Sequence, residues 1–141
     1  MKTMLLLVDD EESFVDILAE RLRNRDFDVT TALNGEDALQ KIKEHNVDVA
    51  IVDVMMPGLS GIETLREIKR LKPLVEVLML TGHATVETAI EGMKLGAYDY
   101  LMKPCDMDQL LAKIGEAKDK KNKHEEKIRE AKIKELSSRF V

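Results

Sequence analysis

Short apolar runs alternate with amphipathic stretches along the whole of this chain. Met4-Leu5-Leu6-Leu7-Val8 contains no polar position, the pattern of a strand buried on both faces. Val49 to Val52 and Val75 to Leu80 read the same way, and Tyr98 to Met102 makes a further strand. Val29-Thr30-Thr31 is a weaker strand, placed nearer an edge. Helical spacing appears between them. Phe14, Ile17, Leu18 and Leu22 mark a first helix, and Ala38, Leu39 and Ile42 a second, shorter one. Ser60 followed by Glu63 is a capping box, opening a third helix that buries Ile62, Leu65 and Ile68. Thr85 to Leu95 forms a fourth, stopped by Gly96. The fifth begins near Asp106, with Gln109 as a second capping-box candidate, and buries Leu110, Leu111 and Ile114.

Such β-α repetition predicts an α/β fold, a parallel sheet with helices on both faces and right-handed crossovers. Ligand sites in these sheets lie beyond the carboxyl ends of the strands, where the strand order reverses. The composition changes after about Gly115, and Lys118 to Glu135 is dominated by charged residues. Glu125 with Arg129, and Glu130 with Lys134, have the spacing that supports an exposed helix. Ile128, Ala131, Ile133, Leu136 and Phe140 give only a broken apolar stripe. The expectation is one domain over 1–117 and a charged helical extension or linker over 118–141. The extension is either a solvated continuation of the last helix or a short coiled segment that needs a partner.

Composition narrows the class. At 141 residues, 44% of them hydrophobic, the chain can bury one real core. The formal net charge of −5 gives no basic stripe, so direct nucleic-acid binding is not expected. The single cysteine, Cys105, has no partner and is assigned to packing, which suits a reducing compartment. The first apolar run is too short for an export signal, and no stretch approaches a membrane span. The expectation is a soluble, cytoplasmic protein. Its eight methionines read mostly as core fillers, with Met93 a candidate for a partner surface.

Acids and their complements fall at strand ends. Asp9 and Asp10 follow the first strand, and Asp53 follows the third. If those strands are neighbours, three carboxylates converge, and at least one should have a raised pKa unless a cation relieves the repulsion. Mg²⁺ takes oxygen ligands and keeps waters that phosphate oxygens can replace. Thr81 follows the fourth strand and Lys103 the fifth. A hydroxyl and an ammonium facing a carboxylate nucleophile suit a transferred phosphoryl group. Taken singly, Asp9-Asp10-Glu11-Glu12 is a helix-start acid cluster, Asp53 a turn cap and Thr81-Gly82 a common turn. It is their joint occurrence at successive strand ends that carries the reading.

With these residues in place, the sequence resembles the response-regulator receiver domain of two-component systems. The motifs are Leu7-Val8-Asp9-Asp10-Glu11, Val52-Asp53-Val54-Met55-Met56-Pro57-Gly58, Gly61, Leu80-Thr81-Gly82, Gly96-Ala97-Tyr98-Asp99-Tyr100-Leu101 and Lys103-Pro104. The resemblance runs from about Lys2 to about Lys118. Thr81-Gly82-His83-Ala84 and the Gly96 to Pro104 segment are most similar to receivers of the nitrogen-regulation type.

This resemblance implies a flavodoxin-like, doubly wound sheet of five parallel strands in the order 2-1-3-4-5, with five helices. It implies that Asp53 is the phosphoacceptor, fed by a sensor histidine kinase. Asp10 and Asp53 would bind Mg²⁺ directly, Asp9 through a water, and the Met55 carbonyl would complete the protein ligands. Lys103 would pair with Asp53 and then with the phosphoryl oxygens. Thr81 would move toward the phosphoryl group and Tyr100 would turn inward. The Lys103-Pro104 bond would be cis. The surface of the fourth helix, fifth strand and fifth helix would then face an unknown output protein or output domain.

Phosphorylation-dependent homodimers are common in the resembling family. The resemblance implies a bacterial signalling switch and not an enzyme, apart from self-phosphorylation and self-dephosphorylation. Met55 and His83 stand at positions that tune dephosphorylation in the family, although an exposed His83 without a role is the plainer reading. His45 and His124 read as surface residues. A Mg²⁺-dependent phosphatase or phosphotransferase competes, but Met55 stands where one such family has Asp. A receiver-like dimerisation module that is never phosphorylated also competes, against an intact set of acids, Thr81 and Lys103.

Overall fold

A computed structural model of the protein describes residues 1–82 and 85–139. His83 and Phe140, read above as a loop histidine and a stripe residue, lie outside the described residues. The elements in chain order are β1 (Met4–Val8), α1 (Glu12–Arg23), β2 (Asp28–Ala32), α2 (Gly35–Glu44), β3 (Val49–Val52), α3 (Gly61–Leu71), β4 (Glu76–Thr81), α4 (Val86–Lys94), β5 (Asp99–Met102) and α5 (Met107–Ser138). The five strands are all parallel and lie in the order β2-β1-β3-β4-β5. The apolar runs of β1, β3 and β4 are buried because helices cover both faces, and β2 is an edge strand as its weaker pattern predicts. Leu6, Val52, Leu65 and Met79 belong to the core on one face of the sheet, and Leu7, Ile51, Leu78 and Ile114 to the core on the other.

Local signals explain most of the helix boundaries. The Ser60–Glu63 capping box forms, with Glu63 N donating to Ser60 Oγ at 3.2 Å and Ser60 N donating to Glu63 Oε1 at 3.3 Å. Thr85 caps α4, with a reciprocal box through Thr88. The box expected at the start of α5 does not form. Asp106 makes no side-chain cap, and Gln109 instead accepts from Cys105 Sγ at 3.7 Å.

Three other readings need correction. Ile17 is exposed, and Val15 and Ala19 join Leu18 and Leu22 on the buried stripe of α1. The methionines are not mostly core fillers. Met56 and Met79 are buried, whereas Met1, Met55, Met93 and Met102 are exposed, because the strands fill the core with Val, Leu and Ile. On α5, Glu125 is engaged by Lys121 at 2.6 Å rather than by Arg129.

The middle of α5 is anchored by charge. It runs as one helix of 32 residues past Lys118. Asp48, just before β3, accepts from Met4 N at 2.8 Å, Lys118 Nζ at 2.9 Å and Lys121 Nζ at 3.1 Å. Glu76, buried at the start of β4, has Lys120 Nζ at 3.6 Å and Lys69 Nζ at 3.8 Å. Burial raises the Asp48 pKa, but its three donors outweigh that and hold it below the ordinary carboxylate value. These contacts lie at the amino-terminal edge of the sheet, away from the strand ends that carry the candidate chemistry.

Candidate functional site

Because β1 and β3 are neighbours, the residues that leave them meet. Val8 pairs with Val52 in register, and Asp53 N donates to Val8 O at 2.9 Å. This is the crevice where the chain reverses its direction of travel across the sheet, the expected place for a ligand. Asp9, Asp10 and Asp53 bring carboxylate oxygens within 4.8 Å of one another. Asp9 and Asp53 are buried and Asp10 is exposed.

The loop that follows Asp53 is held by glycine. Gly61 N donates to Val54 O at 2.9 Å, and a Cβ on Gly61 would lie 1.8 Å from the Asp53 carbonyl oxygen. Only a residue without a side chain permits that approach. Gly58, at φ +76°, turns the chain back toward α3 in a conformation that favours glycine.

Lys103, the residue after β5, reaches over the sheet edge to these acids. Its Nζ lies 2.5 Å from Asp9 Oδ2, 3.6 Å from Glu11 Oε1 and 4.0 Å from Asp53 Oδ2. The resemblance implies a pair with Asp53, yet here Asp9 is the nearest partner. Asp9 Oδ1 accepts from Glu11 N at 3.0 Å, which turns its other oxygen toward Lys103. Burial lowers the Lys103 pKa, but the bond to Asp9 and attraction to Asp53 and Glu11 prevail and leave it raised.

Thr81 is the last residue of β4, not the first beyond it, and it is fully buried. Its hydroxyl lies near enough to the Asp53 carboxylate to favour the charged form. Burial and repulsion from Asp9 nevertheless push the Asp53 pKa up, against Thr81 and Lys103. A raised pKa, expected from three converging carboxylates, does fall on Asp53, but burial is its largest cause and repulsion from Asp9 a smaller one. Asp53 Oδ1 is buried with no hydrogen-bond partner among the described residues. A buried carboxylate oxygen without a donor, beside two more carboxylates, fits a hard divalent cation.

Asp9, Asp10, Asp53, Thr81 and Lys103 therefore meet in one pocket. Met55 lies in the turn two residues after Asp53, with its side chain exposed. Tyr100 stands apart on β5, half-buried, with its hydroxyl 3.0 Å from Thr88 Oγ1 on α4. The Lys103-Pro104 bond is cis. Two neighbours of Lys103 escaped the sequence reading. Glu11 read as a helix-start acid, and Phe14, whose ring lies under the ammonium, read as a core residue of α1.

Residues 5–115 match the family model of the response regulator receiver domain. The chain belongs to that family. This receiver is 43% identical over 113 residues to the transcriptional regulatory protein ZraR of Escherichia coli K12, covering 80% of this chain and 26% of that protein. It is 38% identical over 109 residues to a putative NtrX-like response regulator of Rickettsia typhi, covering 76% of this chain and 23% of the relative. The receiver thus spans about a quarter of the length of the curated relatives it matches. Among solved structures, a CheY-like receiver domain from Methanospirillum hungatei superposes with a TM-score of 0.85 at 30% identity, covering 88% of this chain and 99% of that one. These relatives set the receiver among those of the nitrogen-regulation type and give it a role in two-component signal transduction. Among the described residues no helix is long and apolar enough to cross a membrane.

Proposed function

We propose that this receiver takes one phosphoryl group on Asp53 from a phosphohistidine of a sensor kinase, with Mg²⁺, and thereby switches its α4-β5-α5 face. The observation that carries this reading is the meeting of Asp9, Asp10 and Asp53 beside Lys103, with a buried Asp53 oxygen that has no donor. Asp10, Asp53 and the Met55 carbonyl would hold the cation directly and Asp9 through a water. The cation supplies charge neutralisation for the incoming phosphoryl oxygens.

The chain's own residues do the rest. An Asp53 carboxylate oxygen attacks phosphorus, the P–N bond breaks, and the electron pair leaves with the imidazole nitrogen, which takes a proton. Lys103 moves from Asp9 toward the transferred oxygens, and Thr81 donates a hydrogen bond to one of them. Nearly two negative charges then sit where one did. That favours the conformation in which Thr81 and Lys103 close on them, and Tyr100 turns inward.

The same reading covers organisation and partners. The receiver unit ends near residue 117, and residues 118–141 are an extension whose first turn is tethered to Asp48. The exposed Val86, Ile90, Met93 and Met102 make an apolar output face, suited to an output domain, a separate protein or a second receiver. The cytoplasm, where such kinases present their phosphohistidine, is the expected compartment. Chemistry beyond gain and loss of the protein's own phosphoryl group is not part of this function.

Intact mass after incubation with Mg²⁺ and a small phosphodonor tests it. One added phosphoryl group is expected, absent in Asp53→Ala and without Mg²⁺. No addition from any donor, phosphorylated kinases included, would leave the fold standing and sink the switch.

A further inference from the structure

The Lys103 ammonium meets an aromatic face as well as carboxylates. Lys103 Nζ lies 4.1 Å from the centroid of the Phe14 ring, on the first turn of α1. Its side chain is only 15% exposed. The ammonium thus lies beside the acids Asp9, Glu11 and Asp53 and also against an aromatic ring. Phe14 is partly buried against the core on its face of the sheet, and it lines a groove between α1 and α5.

The two kinds of partner act differently. The hydrogen bond to Asp9 is directional and fixes the ammonium in one place. Attraction to a ring face is broad and survives a lateral shift. A cation that must leave Asp9 for oxygens carried on Asp53 gains from a contact that need not be broken. An aliphatic side chain at position 14 would fill the same space without attracting the charge.

We propose that Phe14 is a positioning residue for phosphoryl transfer, whose ring keeps the Lys103 ammonium in the pocket while it slides from Asp9 toward Asp53. This rests on the proposed function, because it takes Lys103 to serve the transfer.

The experiment is a time course of phosphorylation of the full chain by phosphoramidate with Mg²⁺, followed by intact mass over a range of donor concentrations. The wild type, Phe14→Leu and Phe14→Tyr are compared, each also in a Lys103→Ala background. Phe14→Leu is expected to lower the maximal rate about three- to tenfold, with little change in the half-saturating donor concentration. Phe14→Tyr, which keeps the ring, should stay near the wild-type rate. In the Lys103→Ala background Phe14→Leu should add nothing, because the contact is already lost. A wild-type rate in Phe14→Leu, or the same fold loss in both backgrounds, would overturn the role.

One readout needs no variant. The Lys103 ε-methylene protons of the wild type should show the upfield shift that protons over a ring face acquire, and its absence would overturn the contact even if Phe14→Leu failed to fold. A wild type that takes up no phosphoryl group would instead sink the proposed function, and this role with it.

Discussion

Lys121 donates to Asp48 at 3.1 Å, with both side chains almost shut off from solvent, at the edge of the sheet opposite Asp53. Losing the Asp48 charge leaves Lys121 paired with the more exposed Glu125 and takes a counter-charge from Lys118. Asp48→Asn is therefore expected to destabilise the protein by about 2 kcal/mol. Urea unfolding measures the change. Amide exchange should rise along residues 118–125 at the same time, since Lys118 loses the same partner.

The same carboxylate sets a pH dependence. The folded-state pKa of Asp48 is depressed, so its contribution is complete above the unfolded value and is lost as pH falls through the folded one. The stability gap between wild type and Asp48→Asn should be widest near neutrality and shrink below about pH 4. A gap that stayed constant down to pH 2 in urea titrations would show that Asp48 is not held ionised by its donors.

Gly61 should tolerate no side chain. Its Cβ would lie 1.8 Å from the Asp53 carbonyl oxygen, which is backbone and cannot rotate away. Gly61→Ala is expected to cost at least about 3 kcal/mol, as overpacking against an immovable neighbour does. Because the displaced atom belongs to the proposed phosphoacceptor, phosphorylation in the intact-mass assay should slow as well.

Cation binding should depend on Asp10, the exposed member of the three acids. Asp10→Asn is expected to weaken Mg²⁺ binding more than about tenfold by calorimetric titration, while the melting temperature hardly moves because the residue is exposed. Unchanged affinity would remove Asp10 from the ligand set.

The Tyr100 hydroxyl, 3.0 Å from Thr88 Oγ1, ties β5 to α4. Tyr100→Phe is expected to lose about 1 kcal/mol or less in chemical unfolding. Its aromatic resonances should respond less to phosphorylation than those of the wild type.

The sheet and the pocket were legible in the sequence for a simple reason. Strands covered on both faces must be apolar throughout, so Leu5 to Val8 and Val49 to Val52 announce themselves, and the residue after each is then at the ligand edge. The Ser60–Glu63 box was legible because its partners are three residues apart. Asp48 and Glu76 were not. An acid at the start of a strand reads as solvated until its lysines, 70 or 73 residues away for Asp48, are brought to it. The exposed face of α1 was misread at Ile17 because apolar character alone does not say which side of a stripe packs. Phe14 was legible as an apolar residue but not as a neighbour of Lys103, since that contact joins the first helix to the end of the last strand.

The clasp at Asp48 also makes the rest of α5 a lever arm. From Lys121 to Ser138 the helix rises about 26 Å, and every described residue from Glu126 onward is exposed. A tilt of about 5° at its base sweeps the tip through roughly 2 Å over that length. Small rotations of the domain's last helix are thereby magnified at a distance, with the fulcrum fixed by two lysines and one buried aspartate.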